Sequence, residues 1–225
     1  MTDPAHPPPR VTVLIADDDQ YNRRGIADIF GATEDIVVVG EIEDGDEAVA
    51  AVTRLRPHVV LMDLRMRRVG GLEAIALLVA LPRPPAVIAM TAMDTDDLVL
   101  RSLAAGALSF ISKDEPPAVF QRYVRAVAGG SAIVRPDEMA ALVGAQHSNA
   151  PGVPAAASLN GLSVREREVL TGVALGRTNA EIAAELYLGE TTVKTHVSSI
   201  YNKLGTRSRV LVAYAGWQAG IVPSS

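Results

Sequence analysis

Five runs of mostly aliphatic residues recur through the first half of the chain, each followed closely by polar residues. They are Val11–Ala16, Ile36–Ile42, His58–Met62, Ala86–Met90 and Ala107–Ile111. Their apolar character is continuous rather than alternating, as expected of strands covered on both faces. Amphipathic stretches separate them. One runs from about Asp46 to Leu55 and stops before Pro57, and another runs from Thr95 to Ala105 and stops at Gly106. A third, Pro117 to Ala128, stops at Gly129-Gly130. Proline and glycine placed just beyond an apolar-periodic segment end a helix. Five alternating β and α units predict a doubly wound parallel sheet.

The polar residues at the strand ends carry the chemistry. Asp17 and Asp18 follow the first strand, Asp63 the third, Thr91 the fourth and Lys113 the fifth. In a parallel sheet all these ends share one edge. In the flavodoxin-like strand order 2-1-3-4-5, strands one and three flank the switch point where ligands bind. Three carboxylates, a hydroxyl and an ammonium therefore converge. Taken singly, a run such as Asp17-Asp18-Asp19 is usually a solvated loop and Lys113 a surface lysine. Each standing after its own strand, they are better explained together. Clustered carboxylates repel unless a cation sits among them, and a few hard oxygen ligands suit Mg²⁺.

The second half differs. Formal charge is −7 over residues 1–157 (14 basic, 21 acidic) and +2 over residues 158–225 (7 basic, 5 acidic). Such asymmetry suggests two tasks. Pro151 to Ser158 has linker composition, and Pro136–Val143 reads as a short helix belonging to either side. From Leu159 onward the pattern is helical. Ser163 with Glu166 and Thr178 with Glu181 form capping boxes, and a further helix opens at Gly189-Glu190. Along it Val193, Val197, Ile200 and Leu204 make a buried stripe, with Thr191, Thr195, Ser198 and Asn202 opposite and Lys194 on the flank. Val210, Tyr214 and Trp217 share an apolar stripe in the last helix.

The expected organisation is a disordered tail over 1–10, an α/β domain over 11–132, a linker over 133–158 and an all-α four-helix domain over 159–225. The chain has no cysteine, which excludes disulfides and thiolate metal sites and fits a reducing compartment. No apolar run approaches the ~20 residues that span a bilayer. The Pro-rich N-terminus lacks an apolar signal core, so a cytoplasmic location without membrane contact is expected.

Asp17-Asp18, Leu61-Met62-Asp63-Leu64-Arg65-Met66, Met90-Thr91-Ala92 and Phe110-Ile111-Ser112-Lys113-Asp114 together resemble bacterial response-regulator receivers. The resemblance implies that Asp63 accepts a phosphoryl group from a sensor histidine kinase. Asp18, Asp63 and the backbone carbonyl of Arg65 would hold Mg²⁺ directly, with Asp17 acting through water. Lys113 and Thr91 would contact the phosphoryl oxygens, and Phe110 would repack as Thr91 moves. The chain departs from the usual receiver pattern at Arg67, where proline is common, and at Gly70, where an acid or amide is common. Arg67 and Arg68 are expected to pair with Asp19 or a neighbouring acid and to alter phosphoryl lifetime; the plainer reading is two solvated loop arginines.

From Leu162 to Val222 the chain resembles LuxR-type helix-turn-helix domains, chiefly through Ser163–Leu170, Asn179–Ala183, Thr192–Val197 and Lys203-Leu204-Gly205. That resemblance implies a scaffold helix at Asn179–Leu186 and a recognition helix at Glu190–Leu204. Lys194, Thr195 and Ser198 would face bases of double-stranded DNA. Thr192, Arg207 and Arg209 would contact phosphates. The last helix would serve either as core or as a dimer surface. The combined arrangement is that of NarL/FixJ-type response regulators, implying a homodimer formed on phosphorylation and a two half-site operator. Two other readings stay open: an atypical regulator that binds DNA without phosphorylation, and a Mg²⁺-dependent phosphatase with Asp63 as nucleophile. An acyl-lactone sensor is opposed by the N-terminal aspartate pattern.

Overall fold

The computed structural model describes residues 10–92, 96–132 and 156–221. Five strands, β1 (Val11–Ala16), β2 (Ile36–Ile42), β3 (Val59–Asp63), β4 (Ala86–Thr91) and β5 (Ser109–Ser112), form one all-parallel sheet in the order β2-β1-β3-β4-β5. Helices α1 (Gln20–Gly31), α2 (Ala48–Leu55), α3 (Gly71–Val79), α4 (Asp96–Ala105) and α5 (Pro117–Ala128) connect and cover it.

Strand residues serve the two faces alternately, which is why the apolar runs had to be continuous. Leu14, Val60, Met62, Val87 and Ala89 pack with α2, α3 and α4. Val13, Ile15, Val59, Leu61, Ile88 and Met90 pack with α1 and α5. Several edges of the sequence reading shift, and Asp63 and Thr91, expected just after their strands, are the last residues of β3 and β4. The run Ala107–Ile111 begins two residues before β5, because Ala107 N–H donates to Ser102 at the end of α4 rather than to the ladder. The helix expected from Asp46 begins at Ala48 after a 3₁₀ turn over Gly45–Glu47.

The C-terminal part comprises a 3₁₀ turn (Ala156–Gly161) and helices α6 (Val164–Ala174), α7 (Asn179–Leu186), α8 (Glu190–Leu204) and α9 (Arg209–Gln218). Both capping boxes form: Ser163 with Glu166, and Thr178 with Glu181. Leu162, Leu170, Val173, Ile182, Val193, Val197, Ile200, Leu204 and Val212 make its core. The expected tail, the segment Pro136–Val143, most of the linker and the side chain of Trp217 lie outside the described residues. No helix among the described residues is long and apolar enough to cross a membrane.

The two parts touch. Val210 and Leu211 on α9 are buried in the same apolar cluster as Val99 and Leu103 on α4 and Phe110 on β5. Arg207, in the loop before α9, donates to the Val79 carbonyl at the end of α3 at 2.9 Å.

Candidate functional site

Parallel strands deliver Asp17, Asp63, Thr91 and Lys113 to one edge of the sheet, and the three aspartates after β1 divide the work there. Asp17 is fully buried, and its Oδ1 accepts the Asp19 N–H at 2.9 Å. Asp18 is partly exposed at the rim. Asp19 turns away to cap α1, accepting from the Tyr21 N–H at 2.7 Å. Asp63, 3% exposed, accepts the Arg65 N–H through Oδ1 at 3.2 Å and Lys113 Nζ through Oδ2 at 2.8 Å. Lys113 Nζ also lies 2.7 Å from Asp17 Oδ2. That second contact is an ion pair not aligned as a hydrogen bond, so the buried Asp17 Oδ2 has a compensating charge but no donor aimed at it.

Electrostatics follow from this geometry. Burial raises the pKa of Asp63 above the ordinary carboxylate value, only partly offset by Lys113. Burial also works against the charge on Lys113. The Asp17 and Asp63 carboxylates outweigh it and hold the ammonium above its usual pKa. One carboxylate oxygen from each of Asp17, Asp18 and Asp63 can lie within 4.8 Å of the others. Three hard carboxylate groups around a partly open position, Asp17 with a buried oxygen that has no aligned donor, fit Mg²⁺ held directly or through water, since it keeps several waters of its own.

Thr91 is 1% exposed at the end of β4, and Phe110, opposite Ala89 on the neighbouring β5, is 2% exposed in the cluster that reaches α9. Arg67 lies with Nε 3.6 Å from Asp18 Oδ2, so its partner is the rim aspartate rather than Asp19. Arg68 instead approaches Asp46 at 3.1 Å, Glu47 at 3.4 Å and Asp44 at 3.6 Å.

Two residues that sequence reasoning missed build the walls of this pocket. Asp44 is 3% exposed, and its carboxylate accepts the N–H groups of Arg68 and Val69, both at 2.8 Å. Burial opposes the charge, but those N–H groups with that of Asp46 and the Arg68 charge bring its pKa down to about 2. It fixes the loop between β3 and α3. Asp44 follows β2 closely, so the strand-end signal that marked Asp17 and Asp63 applied to it as well. Arg23, buried on α1, donates to the Asp17 carbonyl at 2.7 Å and to Glu43 at 2.9 Å. Nothing local in the sequence separates it from its neighbour Arg24.

On α8 the expected reading face is exposed but internally satisfied. Lys194 Nζ pairs with Glu190 at 2.8 Å. Thr195 donates to the Thr191 carbonyl at 3.0 Å and Ser198 to that of Lys194 at 2.9 Å. Thr192 is exposed in the first turn. Lys194 and Ser198, with Asn202 and Arg207, line a cleft whose other wall is the α/β domain. Arg209 requires a correction. Only 3% exposed, it donates to Asn179 Oδ1 at 3.0 Å and to the Arg177 carbonyl, so it staples α9 to the start of α7 instead of presenting a cation to phosphate. Glu166 is likewise more than a cap. It accepts from Ser163 N–H and Ser199 Oγ at 2.6 Å and from Lys203 Nζ at 2.7 Å, tying α6 to α8. Chiefly through Lys203 and Ser199, its pKa falls to about 2.

The described parts match known families. Residues 13–125 match the response regulator receiver domain, and residues 160–215 match the luxR family of bacterial regulatory proteins. The chain is 34% identical to the transcriptional regulatory protein YxjL of Bacillus subtilis, over 95% of this chain and 98% of that one. It is also 34% identical to LiaR of the same organism, over 90% and 95%. Among solved structures, the response regulator ChrA of a heme-sensing two-component system aligns with a TM-score of 0.51 at 30% identity, over 95% of this chain and 99% of that one. Sheet order, strand-end carboxylates and capped helix-turn-helix all agree with these matches: the chain belongs to the NarL/FixJ-type response regulators, transcription regulators in which a receiver domain precedes a LuxR-type DNA-binding domain.

Proposed function

We propose that this regulator is switched by phosphorylation of Asp63. The observation carrying the proposal is the placement of Lys113 Nζ within 2.8 Å of both Asp63 and Asp17 at the sheet edge. Asp63 is the nucleophile: a carboxylate oxygen bonds to phosphorus while the bond from phosphorus to the donor breaks, leaving an acyl phosphate. A carboxylate is weak toward an anionic phosphoryl group, so charge on the transferring oxygens must be compensated. Asp18, Asp63 and the Arg65 carbonyl, with Asp17 through water, would hold Mg²⁺, which would supply part of that compensation. Lys113 supplies the rest from this chain, and Thr91 stands at the end of β4 to donate to the phosphoryl oxygens. The donor is a sensor histidine kinase.

In the arrangement described, Lys194 and Ser198 of α8 line the cleft beside the receiver, while Thr192 and Thr195 are exposed outside it. The face of α9 that carries Val210 and Leu211 is buried against α4 and is not free for a second copy. Phosphorylation would bias Thr91 and Phe110 toward a second packing, weaken the α4–α9 contact that shares the Phe110 cluster, and shift the population toward chains with both helices free. Freed DNA-binding domains pair and read two half-sites, with Lys194, Thr195 and Ser198 toward bases and Thr192 and Arg207 toward phosphates.

Intact-mass measurement after incubation with acetyl phosphate and Mg²⁺ tests the central step. A single phosphoryl adduct in wild type and none in Asp63→Ala is expected. An adduct that persists in Asp63→Ala, or none in wild type even with its kinase, would sink the proposal.

A further inference from the structure

Between the receiver and the DNA-binding domain lies a cleft of about 780 Å³, within the size range of small-molecule sites. Its receiver wall brings Arg56 from the end of α2 and Arg83 from the Pro-rich approach to β4. Its opposite wall brings Lys194 and Tyr201 from α8 and Arg207 from the loop that follows. Four cationic side chains thus border one space, and no residue lining it is Asp or Glu.

These charges are poorly compensated. Arg56 and Arg83 are exposed, and among the described residues no hydrogen bond or ion pair is seen for either side chain. Arg207 contacts a carbonyl, not a carboxylate. Lys194 alone has an acidic neighbour, Glu190, and that pair is half exposed. Arg56 is also conformationally unusual. It occupies the left-handed region (φ 49°, ψ 53°), and only Tyr187 among the other described non-glycine residues has a positive φ. Glycine or asparagine would sit there with less steric cost, yet the position carries a cation that borders the cleft.

Like charges around one void repel, and an anion that bridges them turns the repulsion into attraction between the two walls. Guanidinium forks suit phosphate oxygens, while Val52, Leu81, Leu108 and the Tyr201 side chain provide an apolar flank. We infer that the cleft binds a small polyphosphate anion of nucleotide size, which bridges Arg56 and Arg83 of the receiver to Lys194 and Arg207 and holds the recognition helix against the receiver. The DNA backbone offers the same phosphate chemistry, and α8 itself forms one wall of the cleft. Binding of a duplex to the same cations is therefore the alternative outcome that the test must separate.

The test is calorimetric titration of the full, unphosphorylated chain with ATP and, separately, with a short duplex at one fixed salt concentration. Wild type is compared with the Arg56→Asn/Arg83→Gln double variant. Asn tolerates the left-handed backbone, so the variant should melt at the wild-type temperature. It should also still take a phosphoryl adduct from acetyl phosphate, because neither arginine belongs to the Asp63 pocket. Saturable 1:1 ATP binding by wild type, weakened at least about tenfold in the variant, is the expected result. No ATP binding up to millimolar concentration, or equal affinity in both proteins, overturns the inference. Loss of duplex binding in the variant with ATP binding untouched also overturns it, assigning the arginines to DNA. That ATP should compete with the duplex in wild type rests on the closed arrangement being the inactive one; direct ATP binding does not, so the two ideas fail separately.

Discussion

Arg67 is the residue at which this receiver departs most visibly from its family's pattern, and its position gives the departure a consequence. Its guanidinium lies 3.6 Å from Asp18 Oδ2, one of the carboxylates that could hold a cation. The pair is largely exposed and is worth at most about 1 kcal/mol, so it tunes the site without closing it. Arg67→Pro is expected to bind Mg²⁺ about two- to fivefold more tightly, measured by calorimetry without phosphodonor. Unchanged affinity would mean that Arg67 is only a solvated loop arginine. Gly71 shows a stricter constraint. A Cβ there would stand 2.1 Å from the Asp63 carbonyl oxygen, a backbone atom with little room to yield. Gly71→Ala should therefore destabilise the receiver by about 2 kcal/mol or more, read from urea unfolding, and displace Asp63 as it does so. At this scale the sequence was legible where a residue type and a strand end coincided, as at Asp17, Asp63 and Lys113. It was silent on Arg23, and it assigned Arg209 to phosphate because the partners that bury it, Asn179 and Arg177, lie about thirty residues away in the chain.

At the scale of elements, apolar runs report burial more faithfully than pairing. Ala107 is fully buried yet precedes β5, because its N–H closes the end of α4. The run therefore began before the strand did. Capping boxes were more exact, since Ser163 and Thr178 fix helix starts through contacts only three residues long. The further role of Glu166 was not legible, because Ser199 and Lys203 reach it from α8 more than thirty residues away. That link makes a prediction about acid. The folded pKa of Glu166 is about 2 against an ordinary 4.5, so its ionised form stabilises the native state above the unfolded pKa. The contribution is lost as pH falls from about 4.5 toward about 2. Gln can keep the capping box but not the charge beside Lys203. Glu166→Gln should cost the DNA-binding domain about 1–2 kcal/mol at pH 7. In denaturant titrations across pH 7 to 3 that deficit should shrink; a deficit that stays constant would show that the charge contributes nothing.

Across the whole molecule, the matter to decide is whether the contact between the two domains restrains DNA binding. Leu211 isolates it. The residue lies on α9, in the helix-turn-helix domain, yet it is buried among receiver residues, while its neighbours Val212 and Ala215 point into the domain's own core. Leu211→Ser therefore removes apolar surface from the interdomain contact and leaves the C-terminal core intact. Burying a leucine contributes about 1.5–3 kcal/mol, which corresponds to a roughly 10- to 150-fold shift between closed and open chains. If closed chains predominate in wild type, the unphosphorylated variant should bind a single half-site duplex about tenfold or more tightly than wild type at the same salt concentration. Its radius of gyration should rise in solution scattering. A single half-site is the right ligand because it asks nothing of dimerisation, for which α9 is the expected surface. Larger dimensions with unchanged DNA affinity would separate the two effects, leaving the α4–α9 contact as packing and placing control of DNA binding in dimer formation alone.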